Sequence, residues 1–198
     1  MALNVTVFNT DMGWMGIAGT SAGICKVTLP IPDKAFAFIA ITDEESYDHG
    51  TVHRRISRIS YNRVFMKLMN DDTESPKENG LLSEVRDTMI KYFKRQRVDF
   101  PFPLDLKGYT KFQKDVWKAT RRIPYGELRN YGWVASQIDK PKSARAVGQA
   151  LGANPIPIII PCHRVVASDG SLHGFTGGLH LKEKLIALER GNTNSLLG

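Results

Sequence analysis

A chain of 198 residues is long enough for two small domains or one large one, and its 42% apolar and 24% charged content excludes global disorder. The net charge of +7 favours a polyanionic partner, and no apolar run approaches the roughly 18 residues that cross a bilayer, so no membrane partner is expected. Two cysteines, Cys25 and Cys162, cannot build a disulfide framework, and a reducing compartment is the default.

The N-terminus lacks a basic segment followed by an apolar one, so retention where the chain is made is expected. The first hundred residues read as a small α+β unit. Residues 15–19, 23–29 and 35–41 are short β-branched or aromatic-rich runs set off by Gly, Ser, Pro and Asp, and they read as strands. Residues 43–79 are polar and irregular, with a possible helix at 61–69. Residues 81–93 place apolar side chains at 82, 85, 89, 92 and 93, which is helical spacing. Pro101 and Pro103 then mark a linker, so domains are expected at 1–100 and 101–198.

The second half reads as mostly helical. Phe112, Val116 and Ala119 lie on one face of a helix that stops before Pro124, and residues 124–127 form a turn. Further helices are expected at 128–137 and 143–151, an arrangement that fits a helix-turn-helix. The last of these turns Ala144, Val147 and Leu151 inward and Arg145, Gly148, Gln149 and Gly152 outward. Small outward residues let a helix backbone approach a sugar-phosphate wall, with one long basic side chain left to insert into a minor groove. They would equally suit packing against another helix. The charge tips the balance: residues 107–165 hold eleven Lys and Arg against three Asp and Glu, a net +8 that exceeds the charge of the whole chain.

The most informative stretch is Asn154-Pro-Ile-Pro-Ile-Ile-Ile-Pro-Cys-His-Arg-Val165. A Cys beside a His offers a thiolate activated by a base, although a buried Cys is more often an inert small hydrophobe. Here prolines and isoleucines deliver Cys162 to a rigid turn, with basic Arg164 following. Cys25, in an apolar run, reads as core. His49, His53, His173 and His180 have no metal-site spacing, and no metal or other cofactor is expected. Glu189, taken alone, reads as a solvated helix-end charge, and Tyr131 and Trp133 as core aromatics.

Pro161-Cys162-His163-Arg164-Val165 resembles the signature of the O6-alkylguanine-DNA alkyltransferases, or methylated-DNA–protein-cysteine methyltransferases. Phe112-Gln113 with Val116-Trp117, residues 123–127, Tyr131-Gly132, residues 145–148, Asn154-Pro155, residues 170–172, Gly174-Phe175, Gly177-Gly178 and residues 182–189 match in order and spacing. The resemblance is dense over residues 99–192 and weaker at residues 10–13. Gly108-Tyr109-Thr110 departs from it by an added residue.

The resemblance implies an α+β fold: a short antiparallel sheet plus helix, then a mainly helical, winged-helix-like domain with the helix-turn-helix. It implies irreversible, stoichiometric transfer of the alkyl group of O6-alkylguanine, and of O4-alkylthymine, onto Cys162. In that scheme His163 takes the thiol proton through a water, and Glu189 orients and charges the imidazole. Tyr131 turns the nucleotide out and donates to guanine N3, while Arg145 fills the gap in the stack. Asn154 stiffens the link to the active-site turn. The carbonyls of Cys162 and Val165 accept from the guanine amino group, and the Thr176 amide donates to the alkylated oxygen. Gly132, Ala144, Ala146, Gly148 and Ser168 join Tyr131 and Arg145 at the DNA. The implied partner is double-stranded DNA, read from the minor groove with little sequence specificity by a monomer, in the cytoplasm of a prokaryote or the nucleus of a eukaryote. A regulator that binds DNA without chemistry and a thiol hydrolase remain the rival readings of the residues.

Overall fold

A computed structural model describes residues 3–42 and 80–191. The chain divides into two compact units, residues 1–105 and 106–198. The possible helix at 61–69, His49 and His53 lie outside the described residues.

In the first unit, β1 (Asn4–Thr10), β2 (Gly13–Thr20) and β3 (Gly23–Val27) form an antiparallel meander in that order. The β1–β2 turn is closed by the Thr10 hydroxyl, which donates to Gly13 O at 2.7 Å and accepts from Met12 N at 3.2 Å. Helices α1 (Lys34–Thr42) and α2 (Gly80–Phe93) pack on this sheet. Every apolar position expected on the inner face of α2, Leu82, Val85, Met89, Tyr92 and Phe93, is buried.

Two expectations need correcting. Residues 35–41 form α1 and are not a strand. Asp33 accepts from Phe36 N at 3.0 Å and starts the helix, and Ala35, Ala37 and Ala40 favour it. Continuous apolar runs do not reveal their period, which is why this one reads either way. Gly16 of β2 is what admits α1 so closely, since a Cβ there would come within 2.8 Å of Ile41. The proline segment, in turn, is stitched to the sheet: Ile24 N donates to Pro103 O at 2.9 Å and Asp105 N to Ile24 O at 2.8 Å. The unit therefore ends after Asp105, five residues beyond the expected boundary.

The second unit begins with α3 (Lys111–Thr120), opened by a capping box between Thr110 and Gln113. The added residue before it therefore leaves the helix start intact. Residues 128–137 are not one helix. Arg129 and Asn130 form strand β4, paired in parallel with β5 (Val165–Val166), and Asn130 then caps α4 (Tyr131–Gln137), accepting from Trp133 N at 2.7 Å. Helix α5 (Ala144–Gly152) follows, then a 3-10 turn (Cys162–Arg164) and α6 (Leu179–Arg190). Trp117, fully buried, donates from its indole to Ala150 O at 2.9 Å and ties α3 to α5. Of the inner face expected on α5, Val147 and Leu151 are buried with Ala150 beside them, whereas Ala144 is half-buried. No helix among the described residues is long and apolar enough to cross a membrane.

Candidate active site around Cys162

The segment after α5 folds back on itself. Asn154 is buried and makes three bonds: its side-chain amide donates to Ile160 O at 2.9 Å and to Cys162 Sγ at 3.3 Å, and its oxygen accepts from Ile156 N at 2.9 Å. Ile158 in this loop is buried with φ of 75°, a left-handed conformation that costs a β-branched residue roughly 1–3 kcal/mol. Packing of the isoleucines against the unit must hold that strain. Cys162 thus emerges from a fixed turn, 8% exposed, as the first residue of the 3-10 turn.

His163 is fully buried, and its Nε2 lies 2.7 Å from Glu189 Oε1. Glu189 is buried, not solvated. It also accepts from Arg164 Nε at 2.9 Å, from Arg164 Nη2 at 3.0 Å and from Gly126 N at 3.0 Å. Gly126 has φ of 78°, and a Cβ there would lie 3.3 Å from Glu189 O, so the turn needs glycine to present its amide. Arg164 also donates to Ile123 O at 2.6 Å. It is a buried ion-pair partner.

These contacts fix the protonation states. Burial alone would raise the Glu189 carboxyl, but the hydrogen bond from His163 and the bonds and charge of Arg164 outweigh it and hold the group well below the usual carboxylate range. Burial pushes His163 below its ordinary value despite Glu189. The carboxylate is therefore balanced by Arg164, and the resting imidazole is neutral, donating from Nε2. Burial also pushes the Cys162 thiol up, opposed by the Asn154 bond and the Lys182 charge.

Tyr131, the first residue of α4, is half-buried and donates to His173 O at 3.2 Å. Burial and then the Cys162 charge raise its phenol. Val165 is buried, and its carbonyl accepts from Lys182 Nζ at 2.6 Å. Thr176, half-buried, donates from its hydroxyl to Gly152 O at 3.0 Å, linking its loop to the end of α5. Of the positions expected at DNA, Arg145 and Ser168 are exposed, and Gly132, Ala144, Ala146 and Gly148 are half-buried. A Cβ on Gly148 would meet the Tyr131 ring at 3.6 Å, an ordinary contact.

Arg164, Gly126 and Lys182 belong to this cluster, although the sequence reading assigns none of them a site role. A signal for one of them existed. Lys182, Leu185 and Glu189 stand at i, i+3 and i+7 on α6, so two charges occupy an otherwise apolar stripe. Cys25 is half-buried in β3, where burial and then Asp105 raise its thiol. Among the described residues no group of three His, Cys, Asp or Glu is placed to hold a metal ion.

Residues 111–191 match the family model described as 6-O-methylguanine DNA methyltransferase, DNA binding domain. A methylated-DNA–protein-cysteine methyltransferase of Mycolicibacterium paratuberculosis is 44% identical over 135 residues, which is 65% of this chain and 81% of the relative. The chain belongs to the methylated-DNA–protein-cysteine methyltransferase family. The family member from Methanosarcina mazei is 44% identical over 126 residues, 64% of this chain and 77% of its own length. Likeness to this family extends through both units. The Mycobacterium tuberculosis protein OGT, solved in complex with DNA, superposes with a TM-score of 0.67 at 32% identity, covering 96% of this chain and 94% of that one. The family fold, a short antiparallel sheet with helices followed by a mainly helical unit, is therefore the fold of this chain.

Proposed function

We propose that this protein repairs DNA by accepting the alkyl group of O6-alkylguanine, and of O4-alkylthymine, on Cys162 in a single turnover. The observation that carries the reading is the buried Cys162 thiol, bonded to Asn154 and followed in the same turn by the neutral His163–Glu189 pair. Displacement at an sp³ carbon needs a soft anionic nucleophile, and a thiol is only slightly ionised near neutral pH. With Nε2 committed to Glu189, proton exchange falls to His163 Nδ1, through water. The sulfur then forms a bond to the alkyl carbon as the O6–carbon bond breaks, its electron pair passes into the purine, and one proton returns the base to guanine. A thioether is a poor leaving group, so the protein is spent.

The alkyl group lies inside a duplex, so the nucleotide must leave the stack. Arg145, exposed on α5, would fill the vacancy, with the small residues of that helix and Gly132 and Ser168 against the minor-groove backbone. Tyr131 would exchange its bond to His173 O for one to guanine N3. The Val165 carbonyl, already bound to Lys182, retains a second lone pair for the guanine amino group. The Cys162 carbonyl and the Thr176 amide complete the pocket. The protein would act as a monomer in the compartment that holds the DNA.

The test is a titration of duplex containing O6-methylguanine with increasing protein. Restored guanine should plateau at one per protein molecule, and Cys162→Ala should bind the duplex without restoring any. Restoration in excess of the protein, or by the alanine variant, contradicts the reading.

A further inference from the structure

Lys182 is 1% exposed, and no other lysine or arginine among the described residues is buried as deeply. Burying an ammonium is costly unless it is paired. Among the described residues Lys182 has no carboxylate partner. Its Nζ donates to two main-chain carbonyls, Val165 O at 2.6 Å and His173 O at 3.2 Å, and lies 6.0 Å from the centre of the Tyr131 ring. Val165 closes the turn that Cys162 opens, its amide donating to Cys162 O. The ammonium is therefore held against the turn that carries the sulfur.

The other titratable groups around the sulfur supply no competing net charge. Glu189 is matched by Arg164, His163 is neutral, and Tyr131 is an un-ionised phenol. We propose that Lys182 is the fixed positive charge that sustains the Cys162 thiolate, acting as a positioning residue through its charge. The influence is mutual: the Lys182 charge pulls the thiol down against burial, and the Cys162 charge holds Lys182 up against its own burial. Lys182 transfers no proton. The thiol proton leaves through His163, and the ammonium stays protonated while the sulfur gains its negative charge. By bridging Val165 and His173, the same side chain ties the turn that carries Cys162 to the loop that follows it. This inference rests on Cys162 being the alkyl acceptor.

The experiment measures labelling of Cys162 by iodoacetamide against pH, read on the Cys162 peptide in a Cys25→Ala background. Lys182→Gln keeps a donor for Val165 O but removes the charge, Lys182→Met removes both, and Lys182→Arg keeps the charge. The neutral variants should move the half-point of the rate profile up by about one pH unit, an approximately tenfold loss below it that vanishes at high pH. Lys182→Arg should stay near the parent profile. An unmoved half-point, a loss equal at every pH, or failure of both neutral variants to fold overturns the proposal. Iodoacetamide needs no DNA, so these outcomes are independent of whether the parent protein accepts an alkyl group from O6-methylguanine.

Discussion

Glu189 stays ionised out of water because Arg164 meets it with two nitrogens at 2.9 and 3.0 Å and Gly126 supplies an amide. Glu189→Gln leaves the Arg164 charge uncompensated, and breaking such a buried pair costs about 3–5 kcal/mol. Urea unfolding at neutral pH should show that loss. The acid limb of stability follows from the same groups. His163 and Glu189 are both held below their ordinary values of 6.5 and 4.5, so at acid pH the unfolded chain binds more protons than the folded one. The His163 contribution is complete above about pH 6.5 and erodes as pH falls toward the lowered folded value. Glu189 gives way only in stronger acid, below the usual carboxylate range. Unfolding midpoints should therefore drop between pH 7 and 5, and His163→Asn should flatten that part of the profile. A midpoint constant over this interval would mean that His163 is not buried neutral. Asn154→Ala strands Ile156 N, at about 1–3 kcal/mol for a buried group left unsatisfied, while Ile160 O keeps its bond from Cys162 N at 2.8 Å.

Helix α5 carries the DNA-facing argument. Gly148→Ala puts a methyl at ordinary contact distance from Tyr131 and improves helix propensity, so the protein should melt no lower and gain up to about 1 kcal/mol. Arg145→Ala should slow repair of a duplex more than of a short single strand, because only the duplex has a stack to refill. Equal slowing on both would remove the filling role. At this scale, periodic elements were legible from sequence and context-dependent ones were not. The inner face of α2 shows in residue spacing, since each of its apolar positions has a period to obey. Helix α1 does not, because its uninterrupted apolar run fits helix or buried strand equally. Strand β4 exists only through its pairing with Val165 and Val166, a contact some 35 residues away that no local pattern carries. Cys162 and His163 could be picked out because they sit side by side among prolines. Arg164 and Lys182 could not be placed, since a cation's burial depends on which carbonyls and carboxylates the fold brings to it.

The protein's two compact units bear different charge, and the excess resides in the second, between residues 107 and 165. DNA affinity should therefore fall steeply as salt rises and depend little on sequence, since the small residues on α5 offer few groups to read bases. Strong preference for one undamaged sequence would favour a regulator. Repair should also lower the protein's own stability. A methyl on Cys162 overpacks a buried turn, typically at about 1–3 kcal/mol, and for a chain of this size each kcal/mol shifts melting by roughly 2–4 °C. An unchanged melting temperature after stoichiometric methylation would contradict it. The most direct test of the central claim is the mass of the intact protein and of its Cys162 peptide after exposure to excess duplex bearing O6-methylguanine. One added methyl group per molecule, located on Cys162, is the predicted result. An unmodified protein, or a methyl found on Cys25, would contradict the account.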